Sequence, residues 1–538
     1  MRTSILLLAA AGLVVAGCET AGRAQTEMAP TVKMLISEVP FEVAGNADVG
    51  GTGTGADAKP LEEAWQEGDS VAVWADTVAL SYYHLIAGAG KGLGVFEGPA
   101  LKDSVTYYAS MPGRMPGDTL RGKLEGNAFV LEHSSSFMRL NFTIPNGKRG
   151  TAIGLMPMSV QPIVFAQPLD SLAGSAELLV PFAPSDWSAD AFAAIMVLAD
   201  NTMATSRLPG MEFRPGHGVE YRFDPVVGVY GEESSAIGIT DKGQARLLVS
   251  SGQYSGITYI GDNRYAVVHD KSSGGGIHLF DIALDASGGF VSATGTEAPG
   301  NASQGAGKDN EGIVYLPESG TLLVSAESDQ SISEYSLEGN PTGRSVAVPA
   351  DLKAIQSNAG FEALGYSPAT GLIWAVTEKP LKGDDSVLRL QSFSDKTLEP
   401  AGRYLYIPHR PIVSGELAAT AQAYVFGIPA VTALDDGRLI VLEREVYVPG
   451  GNYIQKAVGS FTRINLFEVD PVHDTAGILQ KRLLASFATG ALNLANFEGM
   501  CLGPVLPDGS QSLLLIADSQ GGQDGLTGEY LRIFTLRP

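Results

Sequence analysis

The chain has 538 residues, with 59 acidic against 36 basic side chains and a formal charge of −23. That balance argues against nucleic acid as a partner, because phosphate backbones are bound by a surplus of Lys and Arg. Two cysteines exclude a disulfide framework, while 44% hydrophobic residues and 65 glycines provide for large cores broken by many turns. The length suggests two or three domains. The excess carboxylates either keep a secreted protein soluble or, in part, cluster to hold a hard cation such as Ca²⁺.

Arg2 and the apolar run ILLLAAAGLVVAG (5–17) have the form of a signal peptide, with a run too short to span a bilayer comfortably. Val15-Ala16-Gly17-Cys18 has the shape of a lipobox: small residues suit the peptidase, and the Cys18 thiol is the nucleophile that takes the diacylglycerol. The expectation is a signal peptide over 1–17, lipidation at Cys18, and anchoring to the outer membrane on its periplasmic side or at the cell surface. Acyl chains hold a membrane by about 0.8 kcal/mol per buried CH₂. With Cys18 acylated, Cys501 has no partner; it lies in the apolar run Met500-Cys501-Leu502 and reads as a buried structural thiol.

Residues 18–57 read as a lipidated tether and flexible segment ending in the glycine-rich run 50–55. From 58 to 228 come short apolar runs: SVAVWA (70–75), VTYYAS (105–110), FMRLNFTI (137–144), AIGLMPM (152–158) and VEYRF (219–223). FAAIMVLA (192–199) is ambiguous between strand and helix. This half is expected to be an antiparallel β-sandwich. Trp65, Gly68-Asp69, VAVWA, Tyr107-Tyr108-Ala109 and the late GHGVEYRF resemble the fimbrillin-like domains of Bacteroidetes lipoproteins. That resemblance implies a surface or fimbrial protein partner.

Residues 240–538 repeat. The units are GITYIGDNRYAVVHD (256–270), NEGIVYLPESGTLLVSAES (310–328), GFEALGYSPATGLIWAVTE (360–378), GIPAVTALDDGRLIVLERE (427–445) and NFEGMCLGPVLPDGSQSLLLIADS (496–519). Each has a strand, a turn, a second strand and an acidic residue, and most are followed by a third strand and a fourth. Four strands at a period of roughly 50–70 residues predict a five- or six-bladed β-propeller, the whole chain being all-β. A sixth blade would have to lie within the longer intervals 379–426 and 446–495. The last unit ends at its third strand, and ARLLVSS (245–251) is placed to supply the fourth and close the ring.

Glu311, Glu362 and Glu498 open first strands, and Asp270, Glu327, Glu378, Glu443 and Asp518 end second strands. Rotational equivalence predicts a ring of carboxylates at one mouth of the channel. Like charges this close raise one another's pKa values unless cations or hydrogen bonds compensate. Lys271, Lys379, Arg389 and Arg444 stand beside them in sequence. The plainer alternative is that each acid accepts hydrogen bonds from a neighbouring blade and serves architecture alone. His269, beside Asp270, reads more readily as a structural histidine than a functional one. No nucleophile elbow, P-loop or His-Glu-x-x-His motif is present.

NEGIVY with SAES, NAGFEALGYSP, TEKPL (377–381), LDDGRLIVLERE (434–445) and NFEGM with IADS resemble the esterase-like-activity-of-phytase family, which is regarded as related to the β-propeller phytases. The resemblance implies a phosphoester hydrolase using Ca²⁺ on a phosphorylated small molecule. Its last motif commonly carries two consecutive aspartates where this chain has Asp518-Ser519, so one potential ligand is missing or replaced and the metal stoichiometry is left open. On this reading the metal ligands are Glu311, Glu327, Glu362, Glu443, Glu498 and Asp518. Lys379 and Arg444 contact phosphate, and Glu362 or Glu498 is the general base. The alternative is a non-catalytic surface propeller that binds a ligand or protein and is carried on a fimbrillin-like adhesion or assembly domain.

Overall fold

The computed structural model describes residues 30–44, 58–115, 118–158, 165–182, 188–200, 202–249, 252–270, 276–301, 309–356, 359–384, 386–473, 476–490, 493–520 and 526–537. The signal peptide, Cys18 and Lys271 lie outside the described residues. Among the described residues no helix is long and apolar enough to cross a membrane. The chain forms two compact units, one comprising 1–39 with 60–135, the other 40–59 with 136–538.

In the first unit seven strands close a barrel. Thr31–Ile36 completes it, antiparallel to Leu93–Glu97 and parallel to Ala128–His133. Residues 31–43 are therefore not tether as expected: Met34 and Ile36 alternate inward and are buried with Trp65, Phe96 and Phe129. The Trp65 indole N–H is satisfied by the carbonyls of Met34 at 3.1 Å and Gly92 at 2.9 Å.

The second unit opens with two sheets that share one apolar core, in which Met138, Leu140 and Phe142 of one meet Ile153, Phe192 and Met196 of the other. The span 58–228 thus divides at 135/136 into a barrel and a sheet pair rather than forming one sandwich. The ambiguous FAAIMVLA is strand up to Leu198, the end of Ser188–Leu198. Both its faces are apolar because both are covered. Phe192 and Met196 face the sheet-pair core, while Ala191 and Ala193 pack with Leu405 and Ile478. Arg389 fastens the same junction. It is bidentate to Asp384 (2.6 and 2.8 Å) and donates to the carbonyl oxygens of Pro157 and Met158. It is not a channel counter-ion.

The described remainder holds five sheets. Their innermost strands are Tyr254–Gly261, Asn310–Leu316, Phe361–Ser367, Ala423–Ala433 and Asn496–Val505. Each contacts the next, and the last contacts the first, so the ring closes. The strands approach so nearly that a Cβ on Gly256 would sit 2.4 Å from the Glu311 carbonyl oxygen, and one on Gly499 2.4 Å from that of Ser255. Only glycine allows this spacing.

The expected ring closure is present, but the strand is Gly238–Arg246, antiparallel to Tyr530–Arg537, rather than 245–251. Tyr230–Ser234 adds a fifth strand, parallel to Lys481–Gly490, to the fourth sheet, so the propeller begins near 230 and not at 240. The long intervals contain third and fourth strands and the short helices Gly415–Thr420 and Tyr453–Gly459.

Candidate metal and phosphoester site

In the second, third and fifth sheets the ladder between the first two strands slips near its start: between Asn310 and Ile313, Phe361 and Ala363, and Phe497 and Gly499. Glu311, Glu362 and Glu498 occupy these irregularities. Such a bulge re-aims a side chain that regular pleating would bury between sheets. The first sheet has Ser255 at the equivalent place, and the fourth has Ile428 and Pro429. The strand preceding each turn delivers Asp270, Glu327, Glu378 and Asp518 to the same end.

These elements enclose a cavity of about 150 Å³ whose lining includes Asp270, Glu311, Glu327, Glu362, Glu378 and Glu498 with Lys379 and Arg444. Burial, then Glu362, Glu498 and Asp270, hold the Glu311 carboxyl well above the usual carboxylate range. Burial, then Glu378 and Glu498, do the same to Glu362. Burial beside Glu498 pushes Asp518 up to about 8.

Compensation is uneven. The Arg444 guanidinium, 3% exposed, spans Glu378 and Glu498 and donates to Asn496 Oδ1 at 2.9 Å. Glu498 also accepts from Asn496 at 2.7 Å and Ser255 at 3.2 Å. Lys379, a third exposed, lies 3.2 Å from Glu378. Glu327 accepts from the Gly360 amide at 2.7 Å. Among the described residues no basic side chain pairs with Glu311 or Glu362.

One oxygen from each of Glu311, Glu327 and Glu362 lies within 4.8 Å of the others, and the same holds for Asp270, Asp309 and Glu311. Oxygens that each stand 2.3–2.6 Å from one Ca²⁺ are at most about 5 Å apart. An all-oxygen, charge-excess set with that spacing fits Ca²⁺, with Glu311 common to both groups.

Of the residues expected here, Glu311, Glu327, Glu362, Glu498 and Lys379 line this cavity, with Asp518 beside them. Glu443 does not. Its strand runs on to Val448 instead of ending at the acid, so alternation turns Arg444 toward the cavity and Glu443 away. Glu443 is bound by Lys481 Nζ at 2.6 Å, Tyr406 OH at 2.6 Å and the His409 amide at 2.8 Å. Arg444 is an internal counter-ion rather than an exposed phosphate ligand. Ser519 donates to the Gly252 carbonyl at 3.0 Å, tying the fifth sheet to the segment before the first, so the missing second aspartate is replaced by a sheet-to-sheet fastening. Asp309 and Asn496 were not singled out by sequence; their one signal is that each stands two residues before a bulge glutamate. Cys501 is buried, and burial pushes its thiol up, which leaves it inert.

Sheets of four antiparallel strands, one of them extended by a parallel fifth, ringed so that their inner strands meet in a closed circle, define a β-propeller. The chain belongs to the phytase-like family described as esterase-like activity of phytase, whose model matches residues 250–520. No curated protein matches it. Among solved structures it is similar to a calcium-binding protein, regucalcin, from Agrobacterium tumefaciens (10% identity, 58% of this chain and 97% of that one, TM-score 0.26). It is also similar to an auxiliary nutrient binding protein from Bacteroides ovatus (11% identity, 88% and 92%, TM-score 0.25).

Proposed function

We propose that the chain is a lipoprotein anchored through Cys18 to the outer membrane. In this reading its fimbrillin-like N-terminal part acts as spacer or assembly module, and its five-bladed propeller is a Ca²⁺-dependent hydrolase of a phosphorylated small molecule. The observation that carries the hydrolase reading is that Glu311 and Glu362, with no basic side chain paired to either among the described residues, lie within ligand spacing of Glu327, and Glu311 also of Asp270 and Asp309. Ca²⁺ bound there would neutralise the carboxylates, polarise a phosphoryl oxygen and acidify a bound water. Lys379 reaches the cavity with its ammonium partly solvated and meets the phosphoryl group. Glu362, tied by no hydrogen bond among the described residues, takes the water's proton. Glu498, already held by Arg444, Asn496 and Ser255, positions rather than transfers protons.

The second reading, a binding propeller without catalysis, is favoured by that same fixing of Glu498 and Glu378, since hydrogen-bonded and ion-paired acids serve architecture. The deciding experiment is phosphate release from inositol hexakisphosphate by the Cys18→Ser chain, with Ca²⁺ and with chelator. Ca²⁺-dependent turnover that disappears in Glu362→Gln supports the hydrolase. A folded chain that binds Ca²⁺ but releases no phosphate sinks it and leaves the binding reading. Metabolic labelling with a fatty acid, present in the parent and lost in Cys18→Ser, tests the anchor separately.

A further inference from the structure

The inner strands have a second end. Four residues past the irregular position of each stand Tyr259, Tyr315, Tyr366, Thr432 and Leu502. All five line a cavity of about 370 Å³ that shares no residue with the carboxylate cavity. Its size falls within the roughly 300–1,000 Å³ of small-molecule sites. Ile313, Leu364 and Met500 give it apolar walls, and among the described residues no Lys or Arg lines it.

Its polarity is specific. The three tyrosines are half-buried and line the cavity, so part of each side chain stays open to it. Tyr366 is fixed by donating to Asp395 Oδ2 at 2.9 Å, and the Tyr315 backbone is tied to the neighbouring sheet through Thr258 Oγ1 at 3.2 Å. Asp435 stands exposed at the rim. The chain as a whole carries a charge of −23. Among the described residues of the lining an anion meets no positive partner. A cation is drawn by the overall field, met by Asp435 and received by the negative faces of aromatic rings.

The geometry points to a second ligand site at this end of the channel, taking a small organic cation of the quaternary-ammonium class. It is independent of the carboxylate cavity and of whether that cavity hydrolyses anything.

The probe is choline, compared with its uncharged isostere 3,3-dimethyl-1-butanol, followed by saturation-transfer NMR on the full-length Cys18→Ser chain. The proposal expects transfer to the choline methyl protons and a neutral isostere that binds about fivefold or more weakly. It also expects loss of about fivefold or more in affinity in Tyr315→Ala, with Tyr315→Phe within about twofold of the parent. If Tyr315→Ala melts early, Tyr259→Ala carries the same expectation, and Asp435→Asn, which disturbs no packing, weakens binding and flattens its salt dependence. Four results would overturn the proposal. They are absence of transfer at millimolar choline, equal binding of the isostere, binding indifferent to both alanine variants, or choline displaced by Ca²⁺, which would put it on the carboxylates instead.

Discussion

Replacing Arg444 by methionine isolates what the carboxylate cavity demands of the fold. The side chain keeps its bulk and loses the guanidinium that now spans Glu378 and Glu498. Both acids are buried, at 4% and 8% exposure, and water cannot replace the lost partner. Breaking a buried pair by removing one member costs about 3–5 kcal/mol, because the other charge is left uncompensated. At roughly 2–4 °C per kcal/mol for a domain of 150–250 residues, the chelator-treated variant should melt on the order of 10 °C below the parent. Arg444→Lys keeps the charge but presents a single point, which cannot bridge two carboxylates, so it should fall between. If the cavity binds Ca²⁺, the freed acids add ligands. Ca²⁺ at a hundred times its Kd should then return about 2.7 kcal/mol. Differential scanning calorimetry with chelator and with Ca²⁺ reads both quantities. An Arg444→Met melting point within about 1 °C of the parent in chelator would refute the reasoning, since it would mean the guanidinium neutralises no buried charge.

Glu443→Gln should lower stability through its contacts with Lys481 and Tyr406 but leave Ca²⁺ affinity by calorimetry within about twofold. Glu311→Gln should lower that affinity tenfold or more, about 1.4 kcal/mol; equal effects would return Glu443 to the ligand set. His278, buried against Tyr254 with His269 and Glu297 facing it, is pushed down to about 4 by burial first and by His269 second. Its folded pKa lies below the unfolded value near 6.5, so the unfolded chain takes the proton first. Stability is full above about pH 6.5 and falls toward pH 4, by a few kcal/mol at 1.36 per pH unit. Chemical unfolding of parent and His278→Phe from pH 8 to 4 should show the gap changing in that window, and parallel curves would count against the assignment. A fragment starting at 240 should melt several degrees below one starting at 229, because it lacks Tyr230–Ser234 and the pairs Gly238↔Arg537 and Ile239↔Leu536. Equal melting points would show the closure to be dispensable.

The parts legible in sequence are those the repeat writes several times. Glu311, Glu362 and Glu498 each follow an Asn or Phe and precede a small residue, so the bulge that aims them has a spelling. The fourth repeat has no such spelling: Gly427, Ile428 and Pro429 carry no acid, and its second strand runs past the position where the others turn. Counting inward from an assumed end therefore chose Glu443, one residue out of phase, and in a strand one residue is the opposite face. The closing strand was misplaced for a different reason. ARLLVSS looks apolar, whereas the true outer strand, Gly238–Arg246, is half-exposed and polar along its length. Edge strands commonly read this way, as protection against pairing with other chains. The division of the N-terminal half into a barrel and a sheet pair had no local signature at all. It depends on Thr31–Ile36 pairing with Ala128–His133 some ninety-five residues away, and short alternating strands do not record their partners.

The same arithmetic explains why one channel can have two unlike ends. Rotational repetition multiplies whatever residue type stands at a given step of the inner strand. An acid at the irregular step becomes a charged cavity, and a tyrosine four residues on becomes an aromatic one. Repetition alone would make the first end too negative to fold. Asp270, Asp309, Glu311, Glu327, Glu362, Glu378, Glu498 and Asp518 converge there, and among the described residues of the lining Arg444 and Lys379 are the basic ones. The fourth sheet, by breaking the pattern and turning an arginine inward, compensates one side of the cavity, at Glu378 and Glu498. Among the described residues no basic side chain pairs with Glu311 or Glu362 on the other side. Desolvated charge of one sign is tolerated only by taking up protons or by binding a cation. If the cavity takes a cation, the asymmetry predicts that it sits between the second and third sheets, away from Arg444. A heavy-metal or lanthanide substitute for Ca²⁺ should be found there and not at the centre of the ring.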